Sequence, residues 1–352
     1  MLVVILIRKR ALFTTICVIV LGIICCFMLV RLIRPPAKSS HRLVAGGNLC
    51  SPLQSSNETV SVMNQESAIN SERFQRPSKA LPYPNSYSFK NFQKENETPP
   101  LLEKHFDNPE DLILAYYGIL REASNMLGYS GGCGTIGLSK APYPYAYELL
   151  TKEMQKEVSL NQFIDSFEGI GYTTLLKLIP AYTPSRTPAR IQYYMVEIEV
   201  ITGIKVNGNE EQYEGSQFAY YYGLITTEKT SDENWKIKNI YYIPEDFLCA
   251  PMHSWFYLSD AIVQIVYGNN LKLIDKIDKT EHKDDMIYIY ASGNGKSYRF
   301  DFVRLTNGYD ILLHEYILDN GSWKETNLLG DNWKNMKLTI ENNQLHRTLT
   351  PS

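Results

Sequence analysis

The stretch NPEDLILAYYGIL, residues 108–120, opens the folded body of the chain. Asn108 is a good capping residue, Pro109 suits the first helical position, and Glu110 and Asp111 place negative charge at the positive end of the helix dipole. Leu112, Tyr116, Ile119 and Ala123 then line one face of an amphipathic helix, which Gly128 ends. A second helix is expected from about Tyr145. A third carries a capping box at Ser159 and Gln162, with Leu160, Phe163, Ile164 and Phe167 as its apolar stripe. After Gly171 the period changes to two, and strands are expected at 172–180, 191–201, 216–227 and 234–243. Helices followed by a run of antiparallel strands predict an α+β domain over 107–250.

Downstream, 251–345 reads as a second, smaller α+β domain, and 346–352 as a tail. Trp255–Gly268 reads as a helix, which Leu271–Ile277 extends or follows with a short second one. Alternating strands are expected at 286–292, 297–306, 309–318, 322–328 and 336–341, with turn signals at Gly293-Asn-Gly295, Asn307-Gly308 and Asn320-Gly321. The EHKDD run at 281–285 reads as a solvated charged turn. A faint echo links the two domains: Tyr117-Gly118 and Tyr267-Gly268 in their helices, Trp235-Lys236 and Trp323-Lys324 in their strands.

Upstream, Ala11–Val30 (ALFTTICVIVLGIICCFMLV) has no charge over twenty residues, enough to span a hydrocarbon core of about 30 Å as a helix. Arg31 and Arg34 close the run, and no small-residue cleavage pattern follows, so residues 1–34 are expected to be an uncleaved single-pass anchor. Positive charges nearly balance on the two sides. The clustered Arg8-Lys9-Arg10 on the short tail favours an extracytoplasmic body and a cell-membrane location. Eight of the 17 prolines fall in residues 35–106, with many Ser and Asn and no apolar period, which predicts a disordered linker dispensable for folding.

Composition fits this division. Of 352 residues, 44% are hydrophobic and 21% charged, which excludes wholesale disorder. The net charge is −3, with five basic and no acidic residues in 1–34, leaving 30 basic against 38 acidic groups downstream. An acidic body is no nucleic-acid binder. The six His are scattered, and metal-ligand spacings, a Walker loop, a dinucleotide fingerprint and G-x-S-x-G are all absent, so no metal or cofactor is expected. The expected partners are the bilayer, through residues 11–30, and a protein at the membrane.

The stretches 108–120, YAYELLTKEM (145–154), SLNQFIDSF (159–167) and NWKIKNI (234–240) together resemble the nuclear transport factor 2-like fold. That resemblance implies a cone whose sheet wraps helices around a pocket. Its members include isomerases, dehydratases, binding modules and membrane-anchored secretion-channel scaffolds, so fold alone does not select function. The layout of short tail, one helix, linker and cone domain is similar to that of scaffold proteins of bacterial secretion and conjugation channels. A binding or scaffolding module is the leading reading. The alternative is an anchored enzyme or small-ligand receptor using a pocket around Tyr193, Glu197 and Tyr220. Glu197 and Glu199 share a strand face with Tyr193 and Met195, and two carboxylates on a half-apolar face can do acid/base work. The simpler reading leaves that face in solvent and buries Val196, Ile198 and Val200. In an oxidising compartment Cys133 and Cys249 are the two that a disulfide could join, leaving Cys50 over; two unrelated thiols is the other reading.

Overall fold

In the computed structural model the described residues are 42–50, 105–130, 139–205, 217–247, 255–329 and 337–338. The expected membrane span, residues 51–104, Cys133, Cys249 and all but 337–338 of the strand expected at 336–341 lie outside them. No helix among the described residues is long and apolar enough to cross a membrane. The fold is mixed α+β and rich in sheet.

Helix α1 (Pro109–Arg121) starts where the capping signals place it, the Asn108 side chain accepting from the Glu110 N–H at 2.9 Å. The helix expected from Tyr145 is split into α2 (Tyr143–Glu148) and α3 (Lys152–Glu157). The break has a cause: Leu149–Thr151 bonds to a sheet edge, the Ile237 N–H donating to the Leu149 carbonyl and the Thr151 N–H to the Ile237 carbonyl. Helix α4 (Leu160–Asp165) has the full Ser159–Gln162 capping box.

The first sheet contains β1 (Leu43–Val44), β2 (Gly47–Leu49), β4 (Ile170–Pro180), β5 (Ile191–Thr202), β7 (Gln217–Lys229) and β8 (Trp235–Pro244). Its order is β1-β2-β8-β7-β5-β4, and β3 (Tyr129–Ser130) pairs separately with β6 (Ile204–Lys205). All neighbours are antiparallel except β2 and β8, which run parallel. One face of β4, β5, β7 and β8 packs on the helices through Leu175, Val196, Ile198, Ile225, Ile237 and Tyr242.

Residues 42–50 correct the linker reading. Ala45 and Gly46 have φ of 50° and 82°, the left-handed values a two-residue hairpin needs, and Ala45 is 0% exposed. The Ala45 N–H donates to the Ser166 carbonyl and the Gly46 N–H to Ser166 Oγ. This segment belongs to the folded body.

The second sheet is a meander, β9 (Lys276–Lys283), β10 (Met286–Gly293), β11 (Lys296–Arg304), β12 (Asp310–Asp319) and β13 (Ser322–Thr326), in sequential order. Its helix begins as a 3-10 turn at Trp255–Tyr257, becomes α5 (Ser259–Ile262) and continues as a π-helix over Val263–Asn270. Tyr298, Phe300 and Phe302 pack beneath it with Ile262, Val266 and Tyr267. β9 was not expected. Its sequence, KIDKTEHK, has no apolar alternation because it is an edge strand, where charge discourages pairing with other chains. Only Asp284 and Asp285 form the turn read at 281–285.

A third cluster joins the two sheets. Met195, Tyr222, Leu224 and Ile243 on the far face of the first sheet meet Val303, Ile311 and Leu313 of the second. The expectation that the Tyr193–Glu197 face meets solvent is therefore wrong: Met195 and Glu197 are each 0% exposed. The first sheet is a middle layer between helices and the second sheet, so both faces of β5 are buried.

Candidate functional site

Two places on the first sheet concentrate polar groups in a dry setting. On the helix side, α1 directs Tyr116 and Tyr117 inward, and α4 contributes Phe163; Phe167 follows it. The Tyr117 and Tyr242 hydroxyls lie 2.5 Å apart. Burial pushes the ionisation of Tyr116 and Tyr242 well above the ordinary tyrosine value. Among the described residues the Tyr116 hydroxyl has no hydrogen-bond partner. A Cβ added to Gly46 would come within 2.5 Å of it. The volume a pocket would take beneath the helices is filled by these rings and by the Ala45–Gly46 turn.

The second place lies between the sheets. A register shift in β4 between Leu175 and Lys177 sets Lys177 opposite Glu197 of β5. Lys177 ion-pairs with Glu197 Oε2, and its Nζ lies 3.4 Å from Asp285 at the β9–β10 turn. Glu197 Oε1 accepts the Thr306 N–H at 2.6 Å. Just past β8, Glu245 Oε2 accepts the Asn307 N–H at 3.0 Å, and Asn307 Nδ2 donates to the Asp246 carbonyl. Glu197 and Glu245 thus hold the β11–β12 turn, while Lys177 joins Glu197 to Asp285 at the β9–β10 turn. Beside this clamp, His314 Nε2 lies 2.9 Å from the Pro180 carbonyl, and the Lys337 ammonium sits 3.8 Å over the Tyr182 ring while pairing with buried Glu315.

The sequence candidates fall as follows. Glu197 is at the centre of the clamp. Tyr220 donates to Glu199 Oε2 at 2.7 Å, two residues along, and its ring lies tilted against Phe247, centroids 5.2 Å apart. Burial first, then Glu199, raises its ionisation. Tyr193 packs on the inter-sheet apolar cluster. All three face away from the helices and so do not line a pocket beneath them. Lys177, Glu245 and Asp285 were missed. Lys177 had a signal, being the one charge in the apolar strand YTTLLKLIP; Glu245 had none.

Glu245 is the chemically unusual member. Its Oε1 is shut off from solvent and, among the described residues, accepts from no donor. Burial, and then the neighbouring Glu197 carboxylate, raise its ionisation well above the ordinary glutamate value of 4.5, and a protonated Glu245 can donate to Glu197. A raised value in the folded state means the folded chain holds a proton that the unfolded chain has released. That contribution to stability is complete below 4.5 and is lost as the pH rises through the folded-state value. One proton sets a slope of at most about 1.4 kcal/mol per pH unit. We expect Glu245→Gln to be more stable than the parent at pH 8, with the gap closing toward pH 4. Urea unfolding at several pH values measures it; a constant gap would show that Glu245 does not hold the proton.

No family model and no curated protein matches the chain. Among solved structures, an "Ntf2 like protein involved in plasmid conjugation" aligns at 11% identity over 50% of this chain and 86% of its own, with a TM-score of 0.16. A superposition that poor carries no argument.

Proposed function

We propose that the chain is a membrane-anchored scaffolding module, held at the bilayer by residues 11–30 and working through protein contacts made by a nuclear transport factor 2-like body. The supporting observation is the filling of the volume beneath the helices. Tyr116, Tyr117, Tyr242, Phe163 and Phe167 are all below 2% exposed, and the chain's own Ala45–Gly46 turn packs against this group. Folds of this kind that act on small molecules keep that volume open, and here it serves as core. The acid–lysine cluster fits a clamp better than an acid/base centre, because Glu197 is sealed beneath the β11–β12 turn and a substrate would have to displace that turn.

Membrane fractionation with an alkaline carbonate wash tests the anchor. The full chain stays with the membrane, and a chain carrying Val18→Asp and Leu21→Asp in the apolar run is released. Orientation is read with Lys324→Cys, whose parent side chain is 63% exposed on β13. An impermeant maleimide should label this variant, above the parent, in intact cells. Release of the unaltered chain by carbonate would overturn the anchor, and labelling only after lysis would overturn the outward body.

A further inference from the structure

The seat of residues 42–50 has a property that nothing in its own neighbourhood explains. Apart from the hairpin's internal pairing, every backbone bond recorded for Ala45–Cys50 goes to chain more than a hundred residues away. Ala45 and Gly46 bond to Ser166, β2 pairs with Tyr241 and Tyr242, and the Cys50 N–H donates to the Tyr242 carbonyl. The Asn48 side chain reaches Asn239, 191 positions on, at 3.4 Å. Such contacts define a seat and an occupant. They do not define which copy of the chain supplies the occupant.

The seat is demanding. Leu149–Thr151 covers the first half of the β8 edge, and β2 covers the second half. Without β2 the Tyr241–Tyr242 edge is an open template for another strand. An occupant must present small residues at three successive positions. Ala45 is wholly buried, a Cβ on Gly46 would meet Tyr116 and Phe163, and a Cβ on Gly47 would lie 2.7 Å from Ile240 and from the Tyr242 ring. The Ala45-Gly46-Gly47 of a second copy satisfies this as well as the chain's own.

Connectivity permits both arrangements. Cys50 sits beside Tyr242, and Phe106 bonds to Asn234 at the other end of β8, eight strand residues away or about 26 Å. The 54 residues between Cys50 and His105 can reach at most about 180 Å. The same covalent path therefore reaches a neighbour's seat.

We propose that Arg42–Cys50 is an exchangeable strand, and that the groove at the β8 edge takes this segment from a second copy of the chain. The contacts are identical in both states, so the balance is set by concentration. A tether of this kind holds its own strand at an effective concentration on the order of millimolar. Copies packed side by side reach the same range, and reciprocal exchange then joins them at little cost. Exchange is thus a property of assembled copies, and for that crowding it rests on the scaffolding reading.

The test uses the full chain with its six native cysteines replaced by serine. One version carries Asn48→Cys, a second of different tag size carries Asn239→Cys, and a third carries both. The two single variants are produced together in cells and treated with a short bismaleimide, while an amine crosslinker reports assembly independently. The expected result is an interchain product of mixed tag size between the two single variants, absent when Lys324→Cys replaces Asn239→Cys. Amine-linked oligomers, with only an intrachain link in the double variant and no mixed product, would overturn exchange and leave scaffolding intact. No oligomers and no mixed product would overturn both. Absence of the intrachain and interchain links alike would show that the segment does not occupy this seat, and exchange falls with it.

Discussion

A chain that begins at His105 is expected to lose its cooperative thermal transition and to bind a hydrophobic dye at temperatures where the full body does not. Removing residues 42–50 uncovers part of Tyr116, Phe163, Ile240 and Tyr242 and strips the β8 edge. Fully burying one such side chain contributes about 1.5–3 kcal/mol, so partial exposure of four costs on the order of 5 kcal/mol. That is comparable with the whole stability of many domains. Gly46→Val probes the same seat without truncation. It sets a β-branched residue at a left-handed φ of 82° against a tyrosine hydroxyl and a phenylalanine ring, and should cost about 3 kcal/mol or expel the hairpin. A His105 chain that melts as sharply and at the same temperature as one beginning at Arg42 would show that the hairpin contributes nothing to the fold.

The second large effect is expected at Lys177. It is 4% exposed, and Lys177→Met leaves the Glu197 carboxylate, which is 0% exposed, with neutral donors such as the Thr306 N–H and without its cation. Breaking one side of a buried ion pair costs about 3–5 kcal/mol, whereas removing both charges is often nearly neutral. Lys177→Met should therefore lower the melting temperature by on the order of 10 °C. Adding Glu197→Gln, whose amide oxygen can still accept from Thr306, should recover most of that loss. Calorimetry of the two single variants and the double variant measures the coupling. Additive losses would mean that the two charges do not act as a pair.

Much of this architecture is legible in the sequence. The four long strands of the first sheet lie within two residues of where alternation places them, because each packs at least one face on the helices. The capping signals at Asn108 and Ser159 were equally direct, since a cap is local chemistry. Three features escaped. β9 is charged on both faces, so periodicity had nothing to detect. Residues 42–50, RLVAGGNLC, look like a glycine-rich connection; their role depends on partners at 166 and 239–242, and no local pattern carries a pairing that distant. Double burial of β5 did leave a trace. Tyr193–Val200 has large or apolar residues on both alternating faces, interrupted only by Glu197 and Glu199. Reading the two carboxylates as a wet face overlooked that a buried acid can be met by a lysine on the next strand.

The parallel pairing of β2 with β8 also sets a timetable. Asn48 leaves the ribosome 191 residues before Asn239, to which it will bond. At roughly 5–20 residues per second, the hairpin waits on the order of 10–40 s before its seat exists. The helices and β4, β5 and β7 are made in that interval, and with them the Ser166 half of the seat but not its β8 half. The hairpin is therefore made well before the β8 edge that completes its seat. Until β8 is made, β2 of a growing chain has no strand to pair with, and when neighbouring ribosomes work on the same message several chains share that condition.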